Sequence, residues 1–244
     1  MNPRLVLATA ARCLRQLGHD KRSVAMIIVV PIVLLFLLYA LFDGAPVFNR
    51  IGLIMLGLFP HIIMFLITGI SMLRERTSGT LERLLTTPLH RADLLGGYAL
   101  AFGVAAAVQG SASAGAAYWL FDLQTAGEPV WVVLLAIMNA VLGVAMGLLT
   151  SAFARTEFQA VQFMPVTVFP QLLAAGVIVP RDQMAGWLQT LSDFFPLTYA
   201  VRALQEIGEN DEPTTRMWAD IGIVSGVVLF ALVLAALTLP RRTP

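Results

Sequence analysis

The sequence predicts an all-α integral membrane protein in which residues 1–244 form a single transmembrane domain with six transmembrane helices. Three observations predict this fold. Hydrophobic residues make up 58% of the 244 residues, charged residues make up only 13%, and the mean hydropathy is +0.79. A water-exposed surface does not tolerate that composition. The chain also contains six apolar runs long enough to cross about 30 Å of hydrocarbon, and its basic residues are distributed unevenly between those runs.

The first predicted span, near residues 24–42, follows a basic segment and is longer than the apolar core of a signal peptide, so we expect it to be retained. The other spans are predicted near residues 51–73, 94–121, 130–153, 158–179 and 219–239. These runs lack the alternation of a barrel strand, and a helix pairs its own backbone groups inside lipid. We therefore expect a helical bundle.

The distribution of basic residues predicts the orientation of the bundle. If the N-terminus is cytoplasmic, the inner segments carry 12 of the 16 basic residues and the outer segments carry 4. The inner set is Arg4, Arg12, Arg15, Lys21, Arg22, Arg74, Arg76, Arg83, Arg91, Arg155, Arg241 and Arg242, and the outer set is Arg50, Arg181, Arg202 and Arg216. Multi-pass membrane proteins carry their excess of Lys and Arg on the cytoplasmic side. We expect both termini to be cytoplasmic.

The N-terminal segment, residues 1–23, has the pattern of a helix that lies in the membrane interface. At 100° per residue, Arg4, Arg12, Arg15, His19 and Arg22 fall within one arc of about 80°, and apolar side chains occupy the other side. Such a helix directs its cations toward anionic headgroups. The alternative is a basic tail that only sets the topology.

Residues 180–218 are too rich in large apolar side chains for a plain solvated loop. We expect short amphipathic or re-entrant helices on the outer face, broken at Pro196, followed by an aqueous turn near residues 210–213.

The inner segment 74–93 predicts a short cytoplasmic helix that starts near Ser78 or Gly79 and ends at Pro88. Leu81, Leu84 and Leu85 share one face, as the i, i+3, i+4 spacing requires. That apolar ridge predicts a docking site for a cytosolic subunit. The alternative is that the leucines fold back onto the inner end of the bundle.

This segment resembles the signature region of the permease subunits of type-2 ABC exporters. The resemblance lies in three parts, which are Arg74-Glu75, Gly79-Thr80-Leu81-Glu82 and Thr87-Pro88. Residues 195–200, Phe-Pro-Leu-Thr-Tyr-Ala, resemble an element that this family carries before its last span. The span count, the amphipathic start and the outer re-entrant segment extend the resemblance over the whole chain.

The resemblance implies a coupling helix within residues 74–93, on which an ATP-binding subunit docks. The implied docking residues are Arg74, Glu75, Gly79, Thr80, Leu81, Glu82, Leu84 and Leu85. It further implies two copies of that subunit, a second permease as homodimer or heterodimer partner, and a bacterial cytoplasmic membrane. The chain contains no Gly-x-x-x-x-Gly-Lys-Ser/Thr phosphate loop, so we expect ATP and Mg²⁺ to be bound by the partner and no catalytic site, cofactor or metal in this chain.

Polar side chains inside the predicted spans are candidates for a substrate path, because lipid makes each of them costly unless it is paired. The candidates are His61, Gln109, Gln162 and Gln171. For His61 an interhelical hydrogen bond is favoured over a ligand contact, whereas Gln162 facing a substrate is a hypothesis. We expect no acidic or basic side chain among the intramembrane polar groups, which argues against an ion-coupled carrier.

We therefore expect an exporter of a hydrophobic or amphipathic compound, such as a drug, an antibiotic or a lipid-like molecule. Export of a glycolipid or a polysaccharide, a secondary carrier, an intramembrane enzyme and a structural membrane protein are the alternatives. A net charge of +1 gives no general attraction to nucleic acid, and the lone Cys13 excludes an internal disulfide and a Cys-rich metal site.

Overall fold

The computed structural model describes residues 2–42, 46–78 and 90–238, and within these ranges the chain forms helices and no strand. The elements are α1 (Pro3–His19), α2 (Lys21–Phe42), α3 (Pro46–Thr77), α4 (Arg91–Leu120), α5 (Pro129–Ser151), α6 (Glu157–Ala174), a 3₁₀ helix (Arg181–Gln183), α7 (Gly186–Ser192), α8 (Pro196–Glu209) and α9 (Thr215–Thr238). The prediction of an all-α membrane protein is confirmed.

Five helices in the described ranges, α2, α3, α4, α5 and α9, are long and apolar enough to cross a membrane. They coincide with five of the six predicted spans. The remaining one, near residues 158–179, corresponds to α6, which has 18 residues and is not among the five. Its glutamate, three glutamines and two internal prolines dilute the apolar residues. A sixth crossing therefore stays a prediction.

Helix α5 lies at the centre of the bundle and packs against α3, α4 and α9. Leu135, Ala136 and Ala140 on α5 are fully buried. Glycines allow its close approach to α3, since a Cβ atom added at Gly147 would lie 2.5 Å from the carbonyl oxygen of Phe65. Among the described residues, this helix pair has the most extensive contact of any two helices.

Helix α1 packs along α4, with Thr9, Ala10 and Cys13 buried. Asn2 caps the N-terminus of this helix, because its side chain accepts a hydrogen bond from the backbone N–H of Arg4. The predicted cationic face is correct only in part, because Arg12 turns toward the protein rather than toward headgroups (described below). A membrane-interface location of α1 stays a prediction.

Residues 180–218 contain the predicted short helices, namely the 3₁₀ helix, α7 and α8. We had expected Pro196 to break a helix, but it is the first residue of α8. Proline fits the first helical position because the N–H that it lacks has no intrahelical partner there. Helix α8 buries Leu197, Ala200 and Leu204 against the bundle, whereas Trp187 and Phe194 before it are exposed.

Candidate functional site

The C-terminal end of α3, which the charge distribution predicts to be the inner, cytoplasmic end, contacts more helices than the sequence suggested. Three consecutive residues there, Arg74, Glu75 and Arg76, reach α6, α1 and α5 respectively. We call these three residues, together with Arg12 and Glu157, the inner junction. It directly precedes the segment that was predicted to form the docking helix.

Glu75 connects α3 to α1. An oxygen of its carboxylate, Oε1, lies 3.2 Å from Nη1 of Arg12, and Nη2 of Arg12 donates a hydrogen bond of 2.6 Å to the hydroxyl oxygen of Tyr98 on α4. The side chains of Arg12 and Glu75 are 29% and 11% exposed. An ion pair this well buried depends on both partners, because either charge alone would lack compensation. The pair therefore holds α1, α3 and α4 together.

Arg74 connects α3 to α6 through a bidentate ion pair with Glu157. Its Nε and Nη2 atoms donate hydrogen bonds of 2.7 and 3.1 Å to the two carboxylate oxygens. These hydrogen bonds lower the pKa of Glu157. Both side chains are more than half exposed, at 61% and 54%, so water screens the pair and its net contribution to stability is small. The pair places the first residue of α6 beside the end of α3.

Arg76 connects α3 to α5 by donating a hydrogen bond to the carbonyl oxygen of Ser151. The last carbonyl groups of a helix have no intrahelical partner, so Arg76 caps the end of α5. Two atoms of the inner junction keep unused bonding capacity among the described residues. Oε2 of Glu75 and Nε of Arg76 are buried without a hydrogen-bond partner there.

The other flank of the predicted docking segment is also anchored. Asp93, in the first turn of α4, is 2% exposed and accepts a hydrogen bond of 2.7 Å from the backbone N–H of Asn2. A second one, of 3.4 Å, comes from the backbone N–H of His90. Helix α1 therefore contacts both flanks of the segment, α4 through Asn2 and α3 through Arg12. We did not predict a role for Asp93 from the sequence.

Of the eight predicted docking residues, the structure describes Arg74 and Glu75 and places both in the inner junction. The others lie outside the described residues, and they are Gly79, Thr80, Leu81, Glu82, Leu84 and Leu85.

Two of the four substrate-path candidates take part in helix packing. His61 is 4% exposed, and its Nδ1 atom lies 3.1 Å from the carbonyl oxygen of Asn139 on α5, which is the interhelical hydrogen bond favoured from the sequence. Gln171 accepts a hydrogen bond from the backbone N–H of Leu197 and donates one to the carbonyl oxygen of Thr167. It thereby joins α6 to the first turn of α8.

The other two candidates differ in exposure. Gln109 on α4 is fully buried, and neither of its side-chain polar atoms has a partner among the described residues. Gln162 is exposed on α6 and lines a cavity of about 390 Å³ together with Arg155 and Phe163. No described hydrogen bond joins two of the four candidates. Their role in a substrate path stays a prediction.

The N-terminal part of α9 contains a buried ion pair that we did not expect. Asp220, the second residue of the span predicted at 219–239, is 0% exposed, and its Oδ2 atom accepts a hydrogen bond of 2.8 Å from Nε of Arg202. This bond raises the pKa of Arg202, which also stacks 5.0 Å from the ring centroid of Tyr199. The expectation that no acidic side chain lies within the spans is therefore wrong. The available signal was Asp220 near the outer end of a span, opposite a segment with Arg202.

Comparison with known proteins gives consistent matches. The model of the ABC-2 type transporter family matches residues 4–207. Linearmycin resistance permease protein LnrN from Bacillus subtilis is 30% identical over 169 residues, which cover 68% of this chain and 44% of that protein. Probable multidrug ABC transporter permease YbhR from Escherichia coli is 26% identical over 155 residues, covering 64% and 42%.

ABC transporter G family member 20 from Dictyostelium discoideum is 26% identical over 193 residues, which cover 78% of this chain and 26% of that protein. The chain thus spans less than half the length of these curated relatives.

Proposed function

Because the chain belongs to the ABC-2 type transporter family, the transmembrane permease components of ABC transporters, we propose that it is the permease subunit of an ATP-driven exporter. The exported compound is hydrophobic or amphipathic, in the class of drugs and antibiotics. The names of two relatives support this class, since one is a linearmycin resistance permease and the other a probable multidrug permease. ATP hydrolysis takes place in a separate ATP-binding subunit, and this chain contributes no catalytic group.

The observation that carries the proposal is the inner junction. A transporter driven by a separate ATPase needs a point at which motion of the ATPase reaches many membrane helices together. Arg74, Glu75 and Arg76 provide such a point, because they follow one another on α3 and hold α1, α4, α5 and α6. A push on the segment that follows α3 therefore reaches these four helices together.

The inner junction is also suited to two alternative arrangements. Its bonds are side-chain ion pairs and hydrogen bonds, which exchange partners without breaking a helix. Glu75 Oε2 and Arg76 Nε have no hydrogen-bond partner among the described residues, which supports such an exchange. Closure of the ATP-binding subunits around ATP would bias this exchange and shift the bundle between inward-facing and outward-facing states.

The proposed assembly has two permeases and two ATP-binding subunits in a bacterial cytoplasmic membrane, with both termini of this chain cytoplasmic. The apolar surface that the chain exposes supports a lipid environment and a second permease, since α2 and α9 carry exposed Leu37, Leu41, Phe230 and Leu237. The ATP-binding subunits dock on residues 79–85, with Glu82 and Leu84 as principal contacts.

Co-purification tests this proposal. The chain is expressed with candidate ATP-binding subunits and purified by a tag on the permease, and vanadate-sensitive ATPase activity and efflux are measured. We expect a stoichiometric ATPase that is lost, together with efflux, in Glu82→Ala and Leu84→Ala. Leu120→Ala, at an exposed site at the end of α4, is the matched control and keeps both. Unchanged ATPase activity and efflux in both Glu82 and Leu84 variants would contradict the docking role, and a permease that purifies alone would contradict the exporter.

A further inference from the structure

A cavity of about 710 Å³ lies beside the inner junction, between α1, α2, α3 and α4. We propose that it binds an aminophospholipid of the inner leaflet, holding the headgroup and the adjoining part of one acyl chain. Its volume is within the range of about 300–1,000 Å³ that is typical of small-molecule sites. The proposal requires that the chain lies in a membrane but does not depend on the proposed export function.

One part of the cavity wall is apolar. It is formed by Leu17 of α1, Met26 of α2, Ile67 and Ile70 of α3 and Phe102 of α4. Met26 is 50% exposed in the chain alone. Contact of this apolar surface with water is unfavourable. Covering it with an acyl chain contributes a favourable free energy of about 25 cal/mol per Å² of apolar surface buried. The apolar wall therefore favours a ligand with a hydrocarbon tail.

The polar part of the wall carries charges of both signs. Arg74 supplies a cation, and Asp20 and Glu75 supply carboxylates. Arg74 uses two of its five N–H donors on Glu157, which leaves donors for a phosphate group. Carboxylates accept hydrogen bonds from an ammonium group, which has three N–H donors. A headgroup with both a phosphate and a primary ammonium matches this pair of signs, and an anionic headgroup without a cation matches only Arg74.

The position of the cavity favours a membrane lipid over a soluble ligand. The charge distribution predicts that α1 and the end of α3 lie at the cytoplasmic surface of the membrane, where headgroups are concentrated. The polar end of the cavity is next to that surface, and the Ile67 and Phe102 side extends along the spans. A lipid enters in its normal orientation, with the headgroup toward the cytosol.

Photo-cross-linking tests the proposal. The purified complex in detergent is mixed with a phosphatidylethanolamine that carries a diazirine on its acyl chain near the headgroup, and cross-linked peptides are mapped by mass spectrometry. We expect cross-links to concentrate in residues 13–26 and 67–78. Unlabelled phosphatidylethanolamine should compete about tenfold better than phosphatidylglycerol, which lacks the ammonium group and its charge-assisted hydrogen bonds.

Two matched pairs of variants locate the site. Arg74→Gln removes the phosphate partner and should lower cross-linking about tenfold, whereas Glu157→Gln breaks the same ion pair but keeps the cation and should not. Ser71→Trp fills the cavity and should abolish cross-linking, whereas Val166→Trp adds the same bulk at a site on α6 that is 69% exposed and should not. If Ser71→Trp does not fold, the comparison of cross-linking between Arg74→Gln and Glu157→Gln decides whether the cavity is the lipid site.

Cross-links spread along α2 and α9 in every variant would overturn the proposal and show annular lipid only. Equal competition by phosphatidylglycerol would overturn it as well, and so would displacement by the exported compound but not by phosphatidylethanolamine, which would make the cavity a substrate site. A complex that exports normally but shows no selective cross-link refutes the lipid site and leaves the proposed function intact.

Discussion

Replacing Glu75 by glutamine is the most direct perturbation of the inner junction. The substitution keeps the size and one hydrogen-bonding oxygen of the side chain but removes the charge that pairs with Arg12. Exposed ion pairs contribute about 0–1 kcal/mol, whereas breaking a buried pair costs about 3–5 kcal/mol. With side chains 11% and 29% exposed, this pair lies between the two cases, and we expect a loss of about 2 kcal/mol.

A double-mutant cycle isolates that energy. Denaturant unfolding of the purified complex is measured for Glu75→Gln, Arg12→Gln and the double variant, and the coupling energy should be about 1–2 kcal/mol. Arg15→Gln is the matched control, because Arg15 is exposed on α1 and, among the described residues, its side chain donates only to the carbonyl oxygen of Ala11. Its coupling to Glu75→Gln should be near zero.

The same variant tests coupling between ATP hydrolysis and transport. The proposed exchange of partners breaks this pair in one of the two transport states, so a loss of about 2 kcal/mol shifts their equilibrium about 30-fold. Glu75→Gln should therefore export far less compound per ATP hydrolysed, while the ATPase still binds and turns over. Efflux and phosphate release are measured on the same reconstituted sample. A coupling energy indistinguishable from that of the control, together with an unchanged ratio of efflux to hydrolysis, would refute the reasoning.

Three further predictions concern other parts of the bundle. Asp220→Asn leaves a guanidinium group without its anion at a buried site and should lower the free energy of unfolding by about 3 kcal/mol, which a melting curve as stable as that of the wild type would contradict. Gly147→Leu should force α3 from α5 and reduce the yield of monodisperse protein, since overpacking costs about 1–3 kcal/mol. Gly222→Leu, where a Cβ atom would meet nothing within 4 Å, should not, and equal yields would speak against the close helix contact. Gln162→Cys should react with a membrane-impermeant maleimide and be protected by exported compound. The native Cys13 gives little background, because burial raises its pKa to about 11, and a thiol that no reagent reaches in any nucleotide state would exclude Gln162 from the path.

The sequence predicted the long apolar helices well where hydropathy alone decides them. Five predicted spans correspond to five long apolar helices, because lipid selects for uninterrupted apolar runs. The span predicted at α6 stays a prediction, because three glutamines lower its mean hydropathy, although Gln171 is paired within the protein. Likewise, Pro196 indicated a break without telling whether a helix ended before it or began at it.

The candidate site was predicted only in its location. The Arg74-Glu75 step was recognised as part of the docking segment, but its partners Arg12 and Glu157 lie 63 and 83 residues away in the chain. A pairing at such separations is decided by how the helices pack, which periodicity does not report. Arg12 was assigned to the cationic face of α1 because angular position ignores the partner helix. Asp220 was missed for the same reason.

Helix α1 has a mechanical consequence that follows from its two anchors. Asn2 binds the start of α4 and Arg12 binds the end of α3, and ten helical residues fix the distance between these anchors at about 15 Å. The helix is thus a strut across the base of the segment that connects α3 to α4. A force that spreads the two flanks apart must therefore break either the hydrogen bond between Asn2 and Asp93 or the ion pair between Arg12 and Glu75.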